Sequence, residues 1–186
     1  SRAMAARRDW LTQQLEAFTP IDAIEADYHR RMLELLIDEG EPMSRDHFDP
    51  GHFTASAFIL SPDDRDMLLI LHSKLHRWLQ PGGHVDPEDT DLIAAAMREV
   101  REEVNIHEIT LAHPGVFDVD IHPIPAMRGD PAHEHFDVRF LFRADTREFS
   151  AGSDAHDARW VRLDQVNATD SDESVMRAVR KLQRQS

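Results

Sequence analysis

The chain has 186 residues, 41% of them apolar and 30% charged, with a formal net charge of -14 and no cysteine. That length suits one domain with a real core and one appended element. The missing cysteines exclude disulfides, thiolate metal sites and a cysteine nucleophile, and the negative field argues against a nucleic-acid polymer as partner.

No apolar run approaches the roughly 20 residues that span a bilayer, and the first residues carry arginine without an apolar signal core, so the expected setting is the cytoplasm, with no membrane partner. The first three residues read as a cloning remnant, with Met4 as a candidate native start. Residues 5–40 read as helical, with a break at Thr19-Pro20 and a stop at Gly40. In the second helical piece Ile24, Tyr28, Met32 and Leu35 recur at helical spacing. The expected organisation is an N-terminal helical extension over 1–48, packed on a core domain over 49–186.

Strands follow. "HFTASAFIL" (52–60) alternates, "SPDDRD" is a turn, and "MLLILH" (67–72) reads as a strand buried on both faces. After an acidic central stretch, strands are expected at 115–125, 135–144 and 158–166, and a C-terminal helix with a basic last turn closes the chain. Interleaved helices and hairpin-linked strands indicate an α/β (α+β) fold with a mixed sheet covered by helices.

The central stretch carries the chemistry. Pro81-Gly82-Gly83 forms a turn, the loop "HVDPEDTD" is acidic, and Asp91 is a reasonable N-cap for a helix to about Val104. Ile93, Met97, Val100 and Val104 make an apolar stripe, and Glu99, Glu102 and Glu103 gather on another face. Three adjacent carboxylates repel one another unless cations sit among them, and oxygen ligands suit Mg²⁺ or Mn²⁺. The competing reading is a solvated helix face with i,i+4 pairing to Arg98 and Arg101.

Gly83 followed by Arg98-Glu99-Val100-Arg101-Glu102-Glu103 resembles a Nudix box, the signature of a superfamily that hydrolyses nucleoside diphosphates linked to another moiety. Three departures stand out. Asp89 replaces a glutamate, the spacer from it to Arg98 is eight residues rather than seven, and Asn105 replaces the late glycine, with Ile106 keeping the apolar place. Asn tolerates a left-handed C-cap nearly as well as Gly.

The resemblance implies a Nudix-type α/β/α sandwich and a Mg²⁺-dependent pyrophosphohydrolase acting on a small nucleotide-type diphosphate. It implies Glu99, Glu102, Glu103 and the Gly82 carbonyl as metal ligands. Arg98 would orient a box glutamate, and Glu102 or a later acid would act as base. Asp154 in "SDAHDARWV" is the first choice for that acid and Asp157 the second, against a reading of both as plain loop aspartates.

Twelve histidines are many. His84 follows the glycine pair, His122 ends a strand, and His133 and His135 share one strand face. Such a cluster could hold a transition metal or grip substrate phosphates, and individual hydrogen-bonding roles compete with both. "PGGHVDP", "DIHPIP" and "HEHFDVRF" together resemble an actinobacterial-type branch of Nudix proteins. Arg139 is a candidate phosphate contact, with a salt bridge to Asp137 as the default. Trp78, Phe53 and Phe117 are candidates for stacking a base, with core packing as the alternative.

Two further readings remain. An isopentenyl-diphosphate-isomerase-like enzyme fits the histidines but lacks the usual cysteine. A non-catalytic ligand sensor has no need of the intact Arg-Glu-x-x-Glu-Glu run. The chain is read as a monomer or a homodimer.

Overall fold

The structure is a computed structural model of the chain and describes residues 1–152, 155–168 and 170–185. It divides into two compact units. One comprises Ser1–Ser56, Gly83–Ala96 and Pro114–Phe140, and the other Ala57–Gly82, Met97–His113 and Leu141–Ser186.

The first unit opens with two helices, α1 (Arg2–Glu16) and α2 (Ala23–Ile37). Ser1 caps α1 by accepting the Met4 amide, and Asp22 caps α2 by accepting the Glu25 amide. Along α1, Arg7, Leu11 and Leu15 form the buried row. The expected stripe on α2 is only partly right. Met32 and Leu35 are buried with Leu36, but Ile24 is 60% exposed, and Glu25 takes the inward place by accepting the Ile21 amide. Helix α2 also ends at Ile37, before the expected stop at Gly40. The Arg8 guanidinium explains this: it donates to the carbonyls of Leu36, Asp38 and Gly40 at 2.9, 2.7 and 2.6 Å, supplying donors that the helix end lacks.

The strands are β1 (Gly51–Leu60), β2 (Asp66–His72), β3 (Trp78–Leu79), β4 (Gly82–His84), β5 (Ile109–Leu111), β6 (Asp118–Ile124), β7 (His133–Ala144) and β8 (Ala155–Arg162). Helix α3 (Leu92–Val104) lies between β4 and β5, and α4 (Glu173–Gln185) closes the chain after a short 3-10 turn at Leu163–Gln165. The hydrogen-bonded order is β3-β2-β1-β7-β5, with β4 on β1, β6 on β7 and β8 on β2. Strands β1/β2, β2/β3, β2/β8, β5/β7 and β6/β7 pair antiparallel. Strand β1 advances together with β7: its Pro50 end accepts the Glu134 amide, and further along Thr54 and Ser56 bond Asp137. That is a parallel neighbour, so the sheet is mixed and, with its helices, the fold is α+β.

Alternation in β1 does not separate core from solvent, because all ten of its residues are buried. It separates an apolar row (Phe53, Ala55, Ala57, Ile59) from one that begins with the polar His52, Thr54 and Ser56. The same split runs along β7, where Phe136, Val138 and Phe140 are buried in the first unit and His133, His135, Asp137 and Arg139 alternate with them. No helix among the described residues is long and apolar enough to cross a membrane.

Candidate metal and catalytic site

Asp91 is the N-cap of α3, accepting the Ala94 amide at 2.8 Å. At the other end Asn105 adopts φ +56°, the left-handed cap expected of it, and its amide bonds the Arg101 carbonyl at 3.1 Å. The amides of Ser150 and Gly152 satisfy the carbonyls of Val104 and Glu103 at 3.1 and 2.6 Å. A side chain at Gly152 would sit 2.0 Å from the Glu102 carbonyl oxygen, so only glycine admits this approach.

The acidic loop before the helix is also ordered by short-range bonds. The Asp89 carboxylate accepts the Asp86 amide at 2.8 Å, and Arg7 of α1 donates to the carbonyls of both residues at 3.0 Å. The residue that departs from the family pattern therefore closes a turn, and the lengthened loop is braced by the N-terminal helix.

The buried face of α3 differs from the expected stripe. Leu92, Ala95, Ala96, Val100 and Val104 are buried, while Ile93 and Met97 are only half-buried. At 100° per residue, Glu103 falls in the middle of that buried arc rather than on a separate face, and it is 6% exposed. A carboxylate placed there must be paired. It accepts the Gly82 amide at 3.2 Å and shares a hydrogen bond with Glu99. Burial pushes the Glu99 carboxyl above its usual range. The Glu102 charge adds to the shift, while the bond to Glu103 and the Arg98 charge oppose it. Arg98 donates to Glu99 at 3.1 Å and to Glu102 at 3.3 Å. Glu102 is the outermost acid, with its side chain 52% exposed.

This arrangement fits a hard divalent cation. Two half-desolvated carboxyls in mutual contact must share a proton or a cation, and every donor offered is oxygen. Glu99, Glu102, Glu103 and the Gly82 backbone, all in the second unit, are the residues that could hold it.

The remaining expected residues divide. Asp154 lies outside the described residues. Asp157 is exposed on β8 with its carboxylate on the Ala158 amide. Trp78 is half-buried, and the Arg159 guanidinium lies over its ring at 4.1 Å, occupying the face offered for stacking. Phe53 and Phe117 are core residues, 0% and 3% exposed. Arg139 is 2% exposed and committed to three aspartates: Asp137 at 2.8 Å, Asp118 at 3.4 Å and Asp120 at 3.6 Å. Burial alone would lower its pKa, but Asp120, Asp137 and Asp118 together more than reverse this. Its expected reach to a phosphate is thus replaced by an internal ion-pair network, of which the Asp137 bridge is one part.

The histidines do gather, in the first unit. His135 stands 4.8 Å from His52, 5.3 Å from His84, 5.4 Å from His122 and 5.3 Å from His133, between ring centroids. Sequence reasoning missed His52. The available signal was the polar row His52-Thr54-Ser56, which the parallel pairing of β1 with β7 sets beside His135 and Asp137. Burial lowers His52, brings His84 to about 4 and takes His135 to about 2, with neighbouring charges adding to each shift, so these rings are neutral at physiological pH.

The NUDIX domain family model matches residues 50–182. Among solved structures, the chain is similar to an Ap4A hydrolase of C. elegans at 22% identity, covering 71% of this chain and 95% of that one with a TM-score of 0.53. It is similar to a MutT NUDIX hydrolase from Burkholderia pseudomallei at 25% identity, covering 69% and 95% with a TM-score of 0.53. A dihydroneopterin triphosphate pyrophosphohydrolase of E. coli is 16% identical over 72% and 96%, with a TM-score of 0.51. No curated protein matches the sequence.

Proposed function

The chain belongs to the NUDIX family and is a hydrolase of phosphorus-containing acid anhydrides, and from that premise we propose that it cleaves the diphosphate bond of a small nucleotide-type substrate with Mg²⁺, or Mn²⁺ in its place. The observation that carries this reading is the Glu99–Glu103 contact, backed by the Gly82 amide and flanked by Arg98 and Glu102. Glu99, Glu102, Glu103 and the Gly82 carbonyl would hold the cation. When bound, it supplies charge neutralisation on the phosphoryl oxygens and acidifies water at neutral pH.

The protein's own groups do the rest. The Gly82 amide fixes Glu103, and Arg98 holds Glu99 and Glu102 in one orientation. Glu102, the most exposed of the acids, takes the proton of the attacking water; Asp154 is the alternative base. The water oxygen forms a bond to phosphorus, the bridging P–O bond breaks, and the second phosphate leaves with the bridging oxygen. Two of the similar structures bear the names of a dinucleoside polyphosphate hydrolase and a pterin triphosphate pyrophosphohydrolase. Those compounds therefore belong in the test beside nucleoside triphosphates, oxidised nucleotides, nucleotide sugars and ADP-ribose.

A hydrolysis panel in Mg²⁺ and in Mn²⁺, with the phosphate, pyrophosphate or phosphomonoester products resolved by chromatography, identifies the substrate. Glu103→Gln is then expected to lower kcat by about 100-fold or more while the circular dichroism spectrum is retained. Full turnover by that variant overturns the assignment of Glu103, and binding without turnover across the whole panel overturns the hydrolytic reading.

A further inference from the structure

We propose that His52, His133 and His135 form a binding site for a divalent transition-metal ion, distinct in donor chemistry from the carboxylate site on α3 and with a coordination position left open. Among the described residues these three side chains offer ligand atoms that all lie within 4.8 Å of one another. Nitrogen ligands of a four-coordinate ion stand about 3.3 Å apart when each bond is about 2.0 Å. Small side-chain rotations close that difference.

The hydrogen bonding points the same way. His52 is 1% exposed, and its Nδ1 donates to the His47 carbonyl at 3.1 Å. Its Nε2 is buried with no hydrogen-bond partner. A buried ring nitrogen left unpaired costs free energy unless something supplies the missing contact. Donation from Nδ1 fixes the tautomer that leaves Nε2 with a lone pair. His133 repeats the pattern, its Nδ1 donating to the Pro131 carbonyl at 2.8 Å. Such outer bonds from the second ring nitrogen are how metal-binding histidines are oriented. His133 and His135 are only half-buried, so an ion has a way in.

Charge decides between a cation and a phosphate as occupant. On strands β6 and β7, Asp118, Asp120 and Asp137 surround one guanidinium, that of Arg139, which leaves an excess of negative charge on the same polar face. The His122 ring adjoining the cluster is bonded to Asp120 at 3.3 Å. Surplus carboxylates on that face repel an anion and favour a cation. An all-nitrogen donor set selects the zinc, cobalt, nickel and iron class over magnesium or calcium.

The test uses the full chain, stripped with a chelator and titrated with Co²⁺, whose visible absorption is intense in a four-coordinate nitrogen site and weak among oxygen ligands. The expected result is one equivalent giving intense bands, displaced by Zn²⁺ and not by Mg²⁺. His135→Gln and His133→Gln each weaken that binding by about tenfold or more; His133 is half-buried, so its variant guards against a folding defect, checked by circular dichroism. Glu103→Gln leaves the bands unchanged, which separates this site from the hydrolytic one. Absent bands, bands indifferent to both histidine variants, or bands lost in Glu103→Gln overturn the proposal.

Discussion

Arg139 shows how a residue type can suggest one role and its surroundings impose another. An arginine on the face of H-x-H invites a phosphate, but at 2% exposure each of its three guanidinium nitrogens is paired with an aspartate, Asp137, Asp118 or Asp120. Thr54 and Ser56 add hydroxyl donors to Asp137 at 2.8 to 2.9 Å. Removing one partner of a buried ionic network strands the others, so Arg139→Met is expected to destabilise the fold by about 3–5 kcal/mol, read from urea unfolding. Arg139→Lys recovers only part of that, because an ammonium cannot reproduce the planar fork. A variant with native stability and a raised KM would instead assign the guanidinium to substrate.

At the scale of elements, β1 and α3 both place polar groups in buried rows. Glu99 and Glu103 share the arc of the apolar residues of α3, and Glu103 is tolerated there because it bonds the Gly82 amide and Glu99. Strand β1 enters the sheet at a point with no room for a side chain. A Cβ on Gly51 would lie 1.8 Å from the Glu134 carbonyl oxygen and 2.7 Å from its carbon. The obstacle is backbone, which cannot rotate away, so Gly51→Ala must part β1 from β7. The expected cost is about 1–3 kcal/mol or more, seen as a lower Tm. Because His52 adjoins Gly51, the same variant weakens Co²⁺ binding at the histidines. An unchanged Tm would mean that the two strands do not approach so closely. The short strands β3, β4 and β5 escaped the sequence reading because two or three residues cannot show a period.

For the whole molecule, the net charge of -14 sets a long-range field that an anionic polyphosphate must cross. Raising monovalent salt at fixed free Mg²⁺ is expected to raise kcat/KM by roughly two- to tenfold, since screening weakens repulsion before it reaches the partly buried acids. A fall in kcat/KM would mean that the approach to the site is locally attractive. The sequence by itself determined the class of fold, the long strands and helices, the run Arg98 to Glu103 and the left-handed cap at Asn105. Each rests on local periodicity or on residues a few positions apart, where backbone geometry alone dictates who meets whom. Only the tertiary structure decided that Glu103 is buried, that Arg139 is consumed by three aspartates, that Arg159 covers Trp78, and that His52 joins His133 and His135. Those outcomes depend on contacts between segments from about twenty to about eighty residues apart. Register across the sheet, which composition does not encode, chooses the partners.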